Sequence, residues 1–118
     1  MKIKILGTEY NIIKKKYIDD TEFGSQNIDG YCDFFAKEIV YCDMTTYPGW
    51  EAVEKEIAEI SEKQTLRHEI VHAFFSESGL RANTFIVSGA WAQNEEMIDW
   101  IALQGTKIYE AWQKANAI

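Results

Sequence analysis

The pattern His-Glu-x-x-His at 68–72 is the feature that most constrains what this chain can fold into. Residues four apart lie on one face of an α-helix, so His68 and His72 can present two imidazole nitrogens to one ion if this segment is helical. They are the only two histidines in the sequence. Glu69 is then close enough to reach a water molecule on that ion. The motif therefore predicts a helix that supplies two zinc ligands and a general base.

The third ligand has to come from another residue type. A catalytic zinc usually has three protein ligands and one open position, so a carboxylate or a thiolate must complete the site. The segment Asn94–Asp99 is the best source. Glu95 and Asp99 are four apart, so one can bind the metal while the other accepts a hydrogen bond from a ligating histidine. We predict Glu95 as the ligand and Asp99 as the supporting carboxylate, with Glu96 as the alternative ligand.

Composition excludes several other classes of protein. A chain of 118 residues with 47% apolar residues fits a single domain, 1–118, with one core. Its net charge of −7 argues against a general nucleic-acid binder. No apolar run approaches the ~20 residues of a membrane span, and the alternating N-terminus is unlike a signal peptide. We expect a cytoplasmic protein with free thiols.

The pattern along the chain predicts an α+β fold. Strands are expected at residues 2–6 and 9–17, followed by a polar loop at 19–30 and a hairpin within 31–42. Two long helices are expected, at about 51–77 (one helix, or two meeting near Ser61) and about 94–115, with Asn94 as an N-cap and Gly79 as a helix stop. A further short strand is expected at 85–87. The result is a small antiparallel sheet packed on two helices, a minimal zincin-like arrangement.

Apolar spacing predicts which helix faces are buried. The first helix is expected to bury Val53, Ile57 and Ile60 near its start and Leu66, Ile70, Ala73 and Phe74 through the motif. The second is expected to bury Met97, Ile101, Ile108, Trp112 and Ala115. The tryptophans Trp50, Trp91, Trp100 and Trp112 and the pair Phe74–Phe75 are interpreted as core packing rather than as a substrate platform.

The relative placement of the two cysteines depends on the turn of the hairpin. A two-residue turn at Ala36–Lys37 would place Cys32 and Cys42 on opposite faces of the sheet, and a three-residue turn would place them directly opposite each other. In either register we expect two buried thiols rather than a disulfide or a metal-binding pair.

The segments 66–74 and 94–100 resemble those of a known family. His68-Glu69-Ile70-Val71-His72 followed by Glu95 is similar to the gluzincin metallopeptidases, the class of thermolysin. The order of elements is similar to the compact ImmA/IrrE-type zinc metallopeptidases and their small phage-encoded relatives. The resemblance implies zinc, with His68, His72 and Glu95 as ligands and Glu69 as the base. One departure is that Trp100 and Ile101 follow Asp99, where ImmA/IrrE members carry small residues.

These observations lead to one main functional hypothesis and two alternatives. The main hypothesis is zinc-dependent hydrolysis of a peptide bond in a peptide or protein substrate, with an edge strand of the 31–42 hairpin holding the substrate. The first alternative is a phage-type regulatory or interaction protein that keeps the metal fold without general protease activity. The second is a structural zinc that recruits a cysteine as a fourth ligand. Candidate donors to the oxyanion are Tyr31, Tyr41, Tyr47, Arg67 and Arg81, and none is assigned.

Overall fold

A computed structural model of the chain describes residues 1–82, 94–114 and 116, with side chains of the last helix described through Glu110. These residues form four strands and three α-helices, together with three short 3₁₀ segments at Tyr17–Asp19, Met44–Thr46 and Leu80–Ala82. The strands are β1 (Lys2–Ile5), β2 (Thr8–Lys15), β3 (Gly30–Asp33) and β4 (Glu38–Cys42), and the helices are α1 (Thr21–Ser25), α2 (Lys55–Glu77) and α3 (Glu95–Lys114). The predicted α+β class is confirmed.

The four strands form one sheet in the order β1-β2-β4-β3, which leaves β3 at an edge. The sheet is mixed rather than antiparallel throughout, because β2 and β4 run parallel while β1–β2 and β3–β4 are antiparallel. The central position of β4 follows from its sequence, because its neighbouring residues Ile39 and Val40 are both fully buried. A strand that is apolar on both faces suits a central position, and α1 and β3 occupy the connection that brings β4 beside β2.

Both hairpin turns have defined chemistry. Leu6 and Gly7 have φ values of 48° and 90°, which is the positive-φ geometry of a two-residue turn between twisted strands. The longer turn after β3 is held by Asp33 Oδ1, which accepts hydrogen bonds from the backbone N–H groups of Phe35 (2.9 Å) and Ala36 (2.8 Å). The resulting register pairs Cys32 with Ile39.

This register places the two cysteines on opposite faces of the sheet. Cys32 packs with the cluster around Ile39, and Cys42 lies in the cluster around Val40. Both are free thiols. Of the two thiols that were expected to be buried, Cys42 is buried and Cys32 is half-buried.

The segment predicted as a loop at 19–30 contains a short helix, and that prediction was incomplete. Asp20 caps α1 by accepting a hydrogen bond from the backbone N–H of Glu22 at 3.1 Å. Phe23 is fully buried against the face of the sheet that carries Val40. Phe23 is a single aromatic residue among polar neighbours, so it gave no periodic signal in the sequence. Its burial nevertheless stabilises this short helix.

The first long helix is a single element, α2, that ends where Gly79 takes a positive φ of 84° just beyond the Ser78 cap. Its predicted apolar face at the N-terminal end is wrong, because Ile57 and Ile60 are 51% and 63% exposed. The residues that α2 buries are spaced three or four apart but are small or polar: Ala58, Glu62, Thr65, Glu69 and Ala73. Leu66 and Ile70 pack against the first core cluster, as expected.

The second long helix, α3, begins as predicted. Asn94 Oδ1 accepts a hydrogen bond from the Met97 backbone N–H at 2.9 Å, the geometry of an N-cap. The fully buried residues are Ile98 and Ala102, one position beyond the predicted stripe, while Met97, Ile101 and Ile108 are half-buried. The prediction of a buried Trp100 is wrong, since this side chain is 57% exposed.

Several predictions fall on parts of the chain outside the described residues. They concern the strand at 85–87, Trp91, Ala115 and the side chain of Trp112. Within the described residues, no helix combines the length and the apolar character needed to cross a membrane.

Candidate metal centre

The two histidines lie one helical turn apart on the face of α2 that turns toward α3. Their Nε2 atoms are 3.0 Å apart, and the ring centroids are 4.8 Å apart. Both side chains are largely buried. Burial lowers the pKa of His72, which favours the neutral imidazole that can bind a metal. The helical spacing of the motif thus brings two nitrogen donors to one point.

Glu95, the first residue of α3, completes a set of three donors. Its Oε2 lies 3.0 Å from Nε2 of His68, and its Oε1 lies 3.2 Å from Nε2 of His72. A tetrahedral zinc with bonds of 2.0–2.1 Å separates its ligand atoms by about 3.3 Å. The observed spacings are within a few tenths of an ångström of that value, so the residues present fit such an ion. Glu96 is exposed and makes no hydrogen bond or ion pair among the described residues.

Asp99 lies one turn beyond Glu95 and contacts the other nitrogen of His68. The distance from Asp99 Oδ1 to His68 Nδ1 is 2.5 Å. When Nδ1–H donates to this carboxylate, the lone pair of the ring is on Nε2, which faces His72 and Glu95. The pair therefore sets the tautomer that a metal ligand requires.

Glu69 borders the same site from within α2. Its Oε1 lies 3.9 Å from Nε2 of His68, and ligand atoms of His68, Glu69 and His72 lie within 4.8 Å of one another. The side chain is only 8% exposed. Burial, with a smaller contribution from Glu95, raises its pKa to about 7, against the opposing charge of His68. A carboxylate in this environment can both accept and release a proton near neutral pH.

Gly30 allows α2 to approach the sheet at this site. A Cβ atom built on Gly30 would lie 2.5 Å from Thr65 Cγ2 and 3.0 Å from the Val40 carbonyl oxygen. Next to it, Thr65 Oγ1 donates a hydrogen bond to Asp29 Oδ2 at 3.0 Å. The same built Cβ is 3.5 Å from Cγ of Glu69, so this close approach also positions Glu69. Gly30 was not predicted as a site residue, since its only signal in the sequence is its position directly before the strongest strand pattern.

Arg67 connects α3 to α2 beside the motif. Its Nε donates a hydrogen bond to the backbone carbonyl of Ala102 at 2.8 Å. Ile98, one residue before Asp99, is fully buried. These contacts hold α3 so that Glu95 and Asp99 reach the histidines. Arg67 had been a candidate oxyanion donor, and the structure engages its Nε in this packing contact instead.

A cleft of about 480 Å³ opens over the histidines and the glutamates. The edge strand β3 and the turn after it form one wall, and α2 forms the opposite wall. The lining residues are Gln26, Ile28, Gly30, Tyr31, Cys32, Phe34, His68, Glu69, His72, Phe75, Ser76, Arg81 and Glu95.

Of the remaining candidate oxyanion donors, two are engaged elsewhere. The hydroxyl of Tyr31 donates to Asp20 at 2.7 Å, and that of Tyr47 donates to the Ile28 carbonyl at 3.0 Å. Tyr41 packs at the first core cluster and is not among the lining residues. Arg81 does line the cleft.

Cys32 also lines the cleft but lies outside the group of candidate ligands. Burial raises the pKa of its thiol to about 12, and the neighbouring charge of Glu69 acts in the same direction. The geometry therefore favours a site of three protein ligands over a closed site of four.

No protein-family model, curated protein or solved structure matches this chain. The resemblance to gluzincins remains a prediction that rests on the motif residues.

Proposed function

We propose that this chain is a zinc-dependent metallopeptidase, a hydrolase acting on peptide or protein substrates. The observation that carries the proposal is the convergence of His68, His72 and Glu95, whose donor atoms lie 3.0–3.2 Å apart beside Glu69. Two imidazoles from a His-Glu-x-x-His helix and one carboxylate from a second helix form the donor set of gluzincin sites.

Each residue of the site has a separate role in the proposed hydrolysis of a peptide bond. A zinc ion held by His68, His72 and Glu95 would supply the Lewis acid that activates a water molecule and polarises the scissile carbonyl. Glu69 takes the proton of the attacking water and passes it to the leaving amine. Asp99 holds the ring of His68 so that Nε2 keeps its lone pair.

The edge strand β3 provides a place for an extended substrate. Cys42 N–H donates to the Asp29 carbonyl at 2.8 Å, and alternate residues of an antiparallel pair point their backbone groups to the partner strand. Gly30 and Cys32 therefore direct their N–H and C=O groups away from β4, at the edge that no other described strand pairs with. A peptide can add there as a further strand, with its scissile bond near Glu69.

The proposal includes a cytoplasmic location, because Cys32 and Cys42 are free thiols. It includes no nucleic-acid partner, because the chain is acidic.

The decisive experiment compares Glu69→Gln with the wild type. We expect Glu69→Gln to retain zinc, because the ligands are intact, and to lose cleavage of every peptide that the wild type cleaves from a library. Glu59→Gln removes an exposed carboxylate from the same helix and should behave as the wild type. Cleavage retained by Glu69→Gln would refute the role of the base. Bound zinc with no cleavage by the wild type would instead favour a regulatory or interaction protein that keeps the metal fold.

A further inference from the structure

Arg81 is a cation of the cleft that has no ion-pair partner among the described residues. It is the one lysine or arginine among the described residues that line the cleft. Its side chain makes no hydrogen bond or ion pair with any described residue. A guanidinium is always charged and carries a planar set of donors that suits a carboxylate.

Two aromatic rings hold this guanidinium in place. Its Cζ atom lies 4.2 Å from the ring centroid of Phe34 and 5.6 Å from that of Phe35, in the turn after β3. Stacking on aromatic faces orients the plane of the guanidinium and leaves its N–H groups for another partner. Arg81 is thus preorganised before any ligand arrives.

Its position along β3 separates it from the reacting bond. Glu69 lies beside Gly30 at the start of the strand, whereas Arg81 lies beside Phe34 just after its end. The strand from Gly30 to Asp33 alone spans about 10 Å. A peptide lying along β3 would therefore meet Arg81 two to four residues away from its scissile bond.

We propose that Arg81 binds a carboxylate of the peptide substrate and so determines its sequence preference. This inference rests on the proposed function and names its substrate class: peptides with an acidic group a few residues from the cleaved bond. The carboxylate can belong to a Glu or Asp side chain or to the C-terminus of the peptide. Because the chain carries a net charge of −7, an acidic ligand needs a local cation to bind it.

The test measures peptide binding in the Glu69→Gln background, where no turnover can interfere. The probes are fluorescein-labelled short peptides in matched pairs, with Glu or Gln at each position in turn and with a free or an amidated C-terminus. Fluorescence anisotropy gives the Kd of each pair. We expect the acidic member of one pair to bind about tenfold tighter.

Variants at Arg81 then identify the group responsible. Arg81→Gln should abolish the preference for the acidic member, and Arg81→Lys should keep part of it. Lys63→Gln changes the net charge equally at an exposed site on α2 and should leave the preference intact. A preference at an internal Glu identifies a side chain as the ligand, and a preference for the free C-terminus identifies the chain end.

The results separate this inference from the proposed function. A preference that survives Arg81→Gln, or the absence of measurable binding by any peptide, overturns the role of Arg81. Cleavage by the wild type without discrimination between paired peptides also overturns it, while the peptidase proposal stands. Binding that depends on Arg81 without cleavage by the wild type supports the inference and removes the peptidase proposal. If Arg81→Gln lost cleavage of acidic and neutral peptides equally, the result would indicate that Arg81 stabilises the oxyanion. It would overturn carboxylate recognition.

Discussion

Oδ1 of Asp99 lies 2.5 Å from Nδ1 of His68, so α3 supports a candidate ligand on α2 while presenting another of its own, Glu95. The two helices therefore build the site jointly. A change on either helix should be visible in the affinity for zinc.

We expect Asp99→Ala to weaken zinc binding about 10- to 100-fold, because His68 loses the partner that sets its tautomer and orientation. Competition with a chromophoric chelator measures the affinity. Glu96→Ala removes an exposed carboxylate from the same turn and should match the wild type. An unchanged affinity in Asp99→Ala would show that this hydrogen bond does not support the ligand.

Replacing the two adjacent glutamates of α3 separately should identify the third ligand. Glu95→Gln should lower the zinc content of the purified protein strongly, since Glu95 reaches both histidines. Glu96→Gln, which changes the charge equally, should retain zinc. Metal analysis after dialysis decides between them, and the opposite pattern would assign the ligand to Glu96.

The close approach at Gly30 makes a prediction about stability. Gly30→Ala should lower the free energy of unfolding by about 1–3 kcal/mol, because the new methyl group meets Thr65 Cγ2 and the Val40 carbonyl. Adding Thr65→Ser removes that Cγ2 atom and keeps the hydroxyl that bonds Asp29, so the double variant should recover part of the loss. Urea denaturation followed by circular dichroism measures both. A fully tolerated alanine would contradict the packing described.

Glu77 makes a prediction about pH. Hydrogen bonds from Lys37, Tyr10 and Thr8, in that order, lower its pKa from 4.5 to about 2. A carboxylate whose pKa is lower in the folded protein than in the unfolded chain stabilises the fold above the unfolded value, and this stabilisation is lost as the pH falls toward the folded value. The wild type should therefore lose stability between about pH 5 and pH 2.

The matched variant isolates this contribution. Glu77→Gln keeps the size of the side chain but cannot ionise, so it should be less stable at neutral pH and show a smaller loss between pH 5 and pH 2. Thermal unfolding at a series of pH values gives the comparison. Parallel pH profiles for the two proteins would show that Glu77 does not contribute through its charge.

The sequence allowed the local features of the site to be predicted and left the packing open. The spacing of His68 and His72 predicts a helix, because a helix brings residues four apart within reach of one ion, whereas a strand would separate them by about 13 Å. Asn94 predicts the start of α3, since an asparagine before an acidic pair is a local signal. The convergence of Glu95 on the histidines depends on how α2 and α3 pack together, and the periodicity of the sequence gives no information about that packing.

The buried face of α2 shows why apolar spacing alone misled the prediction. Glu62 is buried because Lys14 pairs with it at 2.7 Å and the Met44 backbone N–H donates to it at 2.9 Å. Both partners are distant in sequence, so no local pattern marks Glu62 as an inward residue. Ile57 and Ile60 on the same helix are exposed instead. The parallel pairing of β2 with β4 is likewise a long-range choice.

The packing of α3 has a consequence for the proposed metal site when it is empty. Among the described elements, α3 rests chiefly on α2, through Ile98, Ala102 and the hydrogen bond from Arg67. A cation bound between the histidines and Glu95 would cross-link α3 to α2. Loss of the cation would then leave the amides of α3 exchanging with solvent well before those of the sheet, so hydrogen exchange would report occupancy without any substrate.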